Sequence, residues 1–154
     1  MKRKIVSLGE LLLQHEYRYV LIGTGTYAPE QSRARWGLCH GVFDLLHPGH
    51  LRHFQAVKEH CDVLVVGITP DRFVAHRQRV AEAVASSVPR PVVPEDLRAE
   101  LVAALSIVDY VVIDEHPHPA PLIRALRPDV FAKGAEYEHH ITPALQEAID
   151  ALAE

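Results

Sequence analysis

An apolar run at residues 62–68 places the tightest constraint on the fold of this chain. Every residue after Asp62 in this run is apolar and most are β-branched, which is typical of a strand buried on both faces. Shorter runs of the same kind occur at 36–39, 108–113 and 129–132, and segments with helical spacing lie between them. Because helical crossovers cover both faces of a parallel sheet, the sequence predicts an α/β fold, a doubly wound parallel sheet. Ligands of such folds bind outside the carboxyl ends of the strands.

Start and stop signals divide the rest of the chain into helices and loops. Ser7 followed by Glu10 has the spacing of a capping box, and Thr142 is suited to cap the last helix. The predicted helices cover 6–15, 47–60, 94–105, 122–126 and 142–152. The prediction also contains a strand at 19–22, a turn at 40–44, loops at 23–35, 114–121 and 133–137, and a mobile loop at 77–94. The expected ligand rim consists of residues 40–50, 69–77 and 133–137.

Length, charge and cysteine content narrow the class of protein. The 154 residues suffice for a single domain over 1–154 with its own core. A net charge of −4 disfavours nucleic acid as a partner. Cys39 and Cys61 are too few for a disulfide framework, and no apolar run approaches the ~20 residues of a membrane span. With no cleavage signal after the basic start, we predict a cytoplasmic protein that binds neither membrane nor nucleic acid.

The residues with the clearest chemical meaning are His47-Pro48-Gly49-His50, where the first strand and turn lead into a helix. Groups at such a helix start face the crevice with the positive end of the helix behind them, which favours an anion. Two histidines three residues apart can reach one phosphate chain, and Pro48 preorganises the first turn. Gly41 and Gly49 remove side chains where a nucleotide would press on the backbone. The pattern predicts a triphosphate site.

The segment at 41–50 resembles the HxGH signature of the cytidylyltransferase-like nucleotidyltransferases. Its sequence is Gly-Val-Phe-Asp-Leu-Leu-His-Pro-Gly-His. The resemblance covers residues 36 to about 140 and includes 65–71, 90–92, 108–112 and 127–137. The later segments are most similar to the adenylyltransferase domain of ADP-heptose synthase, and next to glycerol-3-phosphate cytidylyltransferase. This implies a Rossmann-like nucleotidyltransferase fold that transfers NMP from ATP or CTP to a sugar phosphate or polyol phosphate and releases pyrophosphate. Relatives are often dimers, so the resemblance also implies a homodimer.

The resemblance implies a role for each candidate residue. The catalytic residues would be His47, His50 and Lys133, whose positive or donor groups stabilise the charge that builds on the α-phosphoryl group. The nucleotide-binding residues would be Gly41, Val42, Phe43, Asp44, Gly49, Thr69 and Asp71. Acceptor or phosphate contacts are assigned to Arg77, Arg90 and Arg98. Mg²⁺ is implied as the cofactor, held through the triphosphate and not by a metal site of the protein.

Two departures from the family pattern leave an alternative open. The family commonly has a Lys after the second strand, whereas this chain has His76-Arg77 and a longer insertion before Arg90, so Arg77 or Arg90 takes that place. The family's ISTT-type segment, which closes the nucleotide site, is not found in the sequence. The alternative is a catalytically impaired nucleotide-binding or partner-interaction module that retains the HxGH crevice. The expected organisation is an N-terminal helix and irregular insertion at 1–35, a family-like core at 36–140 and a C-terminal helix at 141–154.

The remaining polar motifs have plainer interpretations. His47, His50 and His53 could form a metal cluster, but their spacing spreads them around a helix. Histidines in the two polar loops lack Cys or carboxylate partners at ligand spacing, so solvated loops are predicted there. These histidines are His116, His118, His139 and His140. The Gly-Thr-Gly at 23–25 is predicted to be a turn, and a capping role is the alternative for Asp71.

Overall fold

A computed structural model describes residues 4–17, 34–74, 89–133 and 141–153. The helices are α1 (Leu8–Tyr17), α2 (Pro48–Lys58), α3 (Glu95–Ala103), α4 (Ala120–Leu126) and α5 (Pro143–Ala153). The strands are β1 (Trp36–Gly41), β2 (Val63–Ile68), β3 (Tyr110–Ile113) and β4 (Val130–Ala132). None of these helices is long and apolar enough to cross a bilayer. The predicted strand at 19–22, the turn at 23–25 and residues 77–88 of the predicted loop lie outside the described residues.

The four strands form one parallel sheet in the order β3-β2-β1-β4. Helix α2 joins β1 to β2, α3 joins β2 to β3, and α4 joins β3 to β4. Because β2 and β4 lie on opposite sides of β1, the order of the strands reverses at β1. A reversal of this kind opens a crevice at the carboxyl ends of the strands. The predicted α/β, doubly wound parallel sheet is confirmed.

Helices cover both faces of the sheet. On one face, Phe54 of α2 and Val102 of α3 pack with Cys39, Val66 and the other side chains that point to that side. On the opposite face, residues of α1, α4 and α5 pack against the alternate residues of the strands. These residues are Leu11, Leu122, Ile123, Leu126, Ala148 and Ala151. The two buried layers explain why β2 is apolar along its whole length.

The predicted turn at 40–44 begins too early, because β1 continues to Gly41. His40 pairs with Gly67 of β2 and Gly41 pairs with Ile68, so the long neighbouring strand keeps β1 extended. One more hydrogen bond joins the two strands just past the end of β2, because Thr69 N donates to Gly41 O at 2.8 Å. Helix α4 begins at Ala120, inside the segment that was predicted to be a loop.

The N-terminal segment is a part of the core. Ile5 forms a parallel bridge with Val111 of β3, which extends the sheet at that edge. The predicted capping box is confirmed, because Glu10 Oε2 accepts from Ser7 N at 2.8 Å and Ser7 Oγ accepts from Glu10 N at 3.2 Å. Leu11 is fully buried beneath this turn. Residues 4–17 therefore close one face of the sheet.

Both cysteines are buried and reduced. Burial raises the pKa of the Cys39 thiol to about 12, and it also raises the pKa of Cys61. The two thiols therefore stay protonated at neutral pH and serve as core side chains.

Candidate active site

The paired histidines stand at the first turn of α2. His47 is the residue that caps this helix, and its Nδ1 accepts the N–H of Gly49 at 3.0 Å. Because Nδ1 accepts this hydrogen bond, the ring proton of His47 lies on Nε2, which leaves an N–H donor on its outer side. The His50 ring stacks on the His47 ring with a centroid distance of 3.9 Å and an interplanar angle of 28°. The two rings therefore lie side by side at the N-terminus of α2, where one anion can contact both.

Gly49 makes this position of His47 possible. A Cβ atom on residue 49 would lie 2.8 Å from Cε1 and 2.9 Å from Nδ1 of the His47 ring. The predicted reason for Gly49 was room for a nucleotide. The structure shows a second reason, since any side chain here would displace the ring that caps the helix.

The loop that leads to the histidines has a strained backbone. Phe43 and Leu45 have φ angles of 52° and 53°, a region that large side chains rarely adopt. Phe43 is held by burial against Phe54 and by an edge contact to His50 at a centroid distance of 5.3 Å. Between the two strained residues lies Asp44.

Asp44 ties this loop to the segment before α3. Its Oδ2 accepts from Val92 N and from Arg90 Nη1, both at 2.9 Å, and its Oδ1 accepts from Val93 N at 3.0 Å. Burial alone would raise the pKa of Asp44, but these hydrogen bonds and the Arg90 charge outweigh it and lower the pKa below its usual value. Asp44 and Arg90 therefore orient the loop through each other.

Arg98 is fully buried, and the prediction that it contacts the acceptor needs correction. Its Nε donates to Val93 O at 2.9 Å, and its Nη2 donates to Thr69 O at 2.9 Å and to Asp71 Oδ1. Its Nη1 donates to Val42 O. The guanidinium thus joins the loop after β1, the end of β2 and the start of α3, and it has no exposed surface for a substrate.

Asp71 is held in the same network. Its Oδ2 accepts from Glu95 N at 3.2 Å, and its own N–H donates to Glu95 Oε2 at 2.6 Å. These bonds cap the start of α3, so Asp71 has the capping contact that was the alternative to nucleotide binding. Thr69, two residues earlier, is buried at the rim.

A row of polar contacts crosses the carboxyl edge of the sheet. His40 Nε2 lies 3.0 Å from Asp114 Oδ2, and Asp114 Oδ1 lies 2.8 Å from His116 Nδ1. Although burial opposes it, the hydrogen bonds from His40 and His116 lower the pKa of Asp114. Lys133 Nζ donates to His40 O at 3.0 Å. His40 therefore connects the end of β3 with Lys133 beside β4.

Sequence reasoning placed His40 in the expected rim without a role of its own, and it missed Asp114 as a member of the rim. His40 was assigned to a turn, and Asp114 only to the start of a loop. The available signal was their position, because each follows an apolar strand at its carboxyl end. Gly67 gives the His40 ring its place, since a Cβ atom there would lie 2.8 Å from His40 Cδ2.

A cavity of about 320 Å³ opens at this edge between β1, β4 and the start of α5. It brings together four of the predicted site residues, namely Gly41, Val42, Thr69 and Lys133. Arg77 and the loop at 134–137 lie outside the described residues.

The sequence assigned no metal ligands to the protein itself, and that assignment stays a prediction. In the described ranges, no three His, Cys, Asp or Glu side chains converge as a metal site would require. The carboxylates of Asp44 and Asp71 accept hydrogen bonds from protein groups on both of their oxygens. Mg²⁺ as a cofactor stays a prediction, and these residues fit a cation that is bound by the nucleotide and not by the protein.

Comparison with known proteins assigns the chain to a family. The sequence profile described as cytidylyltransferase-like matches residues 38–153. The protein called bifunctional protein HldE from Acidiphilium cryptum is 45% identical over 115 residues, which cover 73% of this chain and 22% of the relative. The HldE protein of Campylobacter fetus is 36% identical over 136 residues, 88% of this chain and 25% of the relative. The matched region is therefore a quarter or less of the length of these relatives.

A solved structure has a similar fold. It is described as the lipopolysaccharide core biosynthesis protein from Thermoplasma volcanium. The TM-score is 0.56 at 25% sequence identity, and the match covers 78% of this chain and 89% of that one.

Proposed function

Because this chain belongs to the cytidylyltransferase-like family, we propose that it is a nucleotidyltransferase that transfers NMP from ATP or CTP to a phosphorylated sugar or polyol. Pyrophosphate is the second product. The observation that supports this proposal best is the stacked pair of His47 and His50 at the N-terminus of α2.

The geometry of the pair suits an oxyanion. His47 offers an N–H at Nε2, and its position is fixed by the hydrogen bond between its Nδ1 and Gly49. The first turn of α2 contains no acidic residue, so the positive end of the helix is not neutralised there. Donors that are already in place before the reaction stabilise developing charge at low cost of reorganisation.

The chemistry needs no covalent intermediate. An oxygen of the acceptor phosphate attacks the α-phosphorus of the nucleotide, and a new phosphoanhydride bond forms. The bond from the α-phosphorus to the bridging oxygen breaks, and pyrophosphate leaves with its electron pair. The histidines hold the phosphate chain in line and stabilise its charge, and Lys133, which follows β4 beside β1, supplies a cation. Mg²⁺ bound to the triphosphate would neutralise further negative charge.

The comparisons support the class of acceptor. The matched relatives are HldE proteins, and the similar solved structure has a title that refers to lipopolysaccharide core biosynthesis. Both descriptions agree with the resemblance to ADP-heptose synthase, so a sugar phosphate is the favoured acceptor. The matches span only 22% and 25% of the two relatives. The activity and the acceptor therefore have to be measured on this chain itself.

The role of His47 can be tested without loss of the helix cap. His47→Ala would remove the group that accepts the Gly49 N–H, at a cost of about 1 kcal/mol in stability. His47→Ser keeps a capping oxygen and removes the imidazole, so we expect a loss of about 100-fold or more in kcat/KM. Pyrophosphate release from ATP or CTP with Mg²⁺ and a hexose 1-phosphate measures the rate, and urea unfolding measures the stability.

His60→Ser is the matched control, because His60 is exposed just beyond the other end of α2. It should leave the rate unchanged. The proposal fails if His47→Ser releases pyrophosphate at the wild-type rate, or if calorimetric titration with ATP and with CTP shows that the chain binds neither nucleotide.

A further inference from the structure

Arg98 of α3 is one of the largest fully buried side chains of the described chain. A buried guanidinium loses its hydration, and only well-placed acceptors offset that cost. Three of its acceptors are main-chain oxygens, those of Val42, Thr69 and Val93, and the fourth is the carboxylate of Asp71. Because a main-chain oxygen moves only with its loop, these contacts hold backbone segments in place.

The contact with Val42 lies at the entrance of the strained loop before α2. Val42 O is part of the peptide bond to Phe43, the first of the two residues with positive φ in this loop. Asp44, in the middle of the loop, accepts from the N–H of Val93, and Val93 O accepts from Arg98 Nε at 2.9 Å. The guanidinium therefore holds the loop directly at Val42 and indirectly at Asp44.

The same loop places both imidazoles of the histidine pair. His47 follows Leu45, the second strained residue, by two positions. His50 meets the ring of Phe43 edge-on, at a centroid distance of 5.3 Å. A shift of the loop would therefore reach His47 along the main chain and His50 through this ring contact. Misplacement of a reacting group by about 1 Å can cost about 100-fold in rate.

The guanidinium is also fixed to the interior of the sheet. Arg98 Nη2 donates at 2.9 Å to Thr69 O, directly after β2, and β2 lies between β1 and β3. We propose that Arg98 is a positioning residue for nucleotidyl transfer, which fixes the loop before α2 against the end of β2 and thereby sets the place of His47 and His50. It acts without touching the substrate. The inference rests on the proposed function, to which it adds a buried residue behind the histidine pair.

Arg98→Lys tests this role, because it keeps a positive charge and loses the planar set of donors. In the pyrophosphate assay with a hexose 1-phosphate, we expect kcat to fall about 10-fold to 100-fold. The dissociation constant for ATP or CTP should change by no more than about threefold, since a misplaced donor weakens the transition state more than the bound nucleotide. Calorimetric titration measures that constant.

Leu11→Ala is the matched control for lost stability. Leu11 is fully buried as well, but it packs on the opposite face of the sheet from α3. Both variants are assayed at a temperature where circular dichroism shows them to be fully folded. Leu11→Ala should keep kcat within about twofold of the wild type, because it changes no contact of the loop. Equal losses of kcat in the two variants would overturn the inference.

A second variant covers the case in which Arg98→Lys does not fold. Arg98→Gln keeps a planar group with N–H donors and leaves no unpaired cation in the core. The carboxylate of Asp71 can then be solvated, because its side chain is 39% exposed. The same fall in kcat is expected for this variant.

A double-variant cycle shows whether Arg98 acts through the histidines. When His47→Ser is already present, Arg98→Lys should lower kcat by no more than about threefold, because the group that it positions is gone. Independent effects of the two substitutions, which multiply in full, would contradict the inference.

NMR signals of the imidazole rings give a readout that does not depend on turnover. The signals of His47 and His50 are assigned by their loss in His47→Ser and His50→Ser. Arg98→Lys or Arg98→Gln should shift both, whereas Leu11→Ala should leave them in place. If the wild type neither binds nucleotide nor releases pyrophosphate, the proposed function fails, and the catalytic role of Arg98 fails with it. If the wild type is active but the Arg98 variants keep its kcat or its ring signals, only the inference is wrong.

Discussion

Phe43 and Leu45 keep left-handed backbone angles on the two sides of Asp44, whose carboxylate accepts two main-chain N–H groups and the Arg90 guanidinium. Positive φ at large residues costs about 1–3 kcal/mol each, so other contacts must hold the loop. Asp44 supplies some of these contacts through its hydrogen bonds with residues 90–93, and the burial of Phe43 supplies the others. The strain is located just before the paired histidines, where it sets the direction in which the loop enters α2.

Asp44→Asn should lower the free energy of unfolding by about 1–2 kcal/mol at pH 7, because the charge-assisted hydrogen bonds are weakened. The folded protein lowers the pKa of Asp44, so its carboxylate stabilises the fold above the ordinary carboxyl pKa. This contribution is lost as the pH falls through the lowered pKa. The difference between wild type and variant should therefore be largest above about pH 5 and disappear in stronger acid.

Urea unfolding at a series of pH values measures this difference. Asp150→Asn is the control, since Asp150 is exposed on α5, where its Oδ1 accepts a hydrogen bond from Gln146 Nε2 at 2.8 Å. A difference between wild type and Asp44→Asn that does not depend on pH would contradict the assignment.

At the scale of elements, α3 holds the rim together. Its residue Arg98 donates to the main chain after β1 and after β2, and Asp71 and Glu95 exchange hydrogen bonds at the start of the same helix. The buried guanidinium of Arg98 thus donates hydrogen bonds both to the loop before α2 and to the end of β2. A planar group with five N–H donors suits this task, because it can reach several acceptors in one plane.

Arg98→Lys should destabilise the protein by about 3–5 kcal/mol, although it retains the charge. A single ammonium group cannot replace the donors that reach Val93, Thr69 and Asp71 together. Denaturant unfolding measures the loss, and the exposed Arg124→Lys on α4 serves as the control. Wild-type stability of Arg98→Lys would show that the network contributes little.

At the scale of the whole molecule, the sheet has a buried layer on each face, and residues 4–17 complete one of them. Ile5 pairs with β3, and Leu11 packs with α4 and α5. The N-terminal helix lies outside the region that matches the family profile, which begins at residue 38. It is nevertheless part of the same core.

Leu11→Ala should cost about 2–5 kcal/mol, because Leu11 is fully buried and its loss leaves a cavity. Leu13→Ala on the same helix should cost no more than about 0.5 kcal/mol, since Leu13 is 54% exposed. Equal effects of the two variants would show that α1 does not pack as described.

Local pattern was sufficient to predict the four described strands, the helices capped by Ser7 and Thr142, and the position of His47 and His50, because each depends on residues within a few positions of one another. The resemblance to the cytidylyltransferase-like family, which those residues suggested, is confirmed by the match over 38–153. The roles of the individual site residues stay predictions, apart from Arg98, which burial removes from the acceptor.

Only the tertiary structure decided which distant residues meet. His40 and Asp114 are 74 positions apart, and Arg98 reaches Val42 across 56. Such contacts depend on the strand order β3-β2-β1-β4, which brings separate carboxyl ends to one edge. The periodicity of a single segment contains no information on that order, because hydrophobic burial specifies which face is covered and not which neighbour covers it. The sequence by itself therefore determined the elements and the histidine pair, and the packing of the sheet determined the cavity beside them.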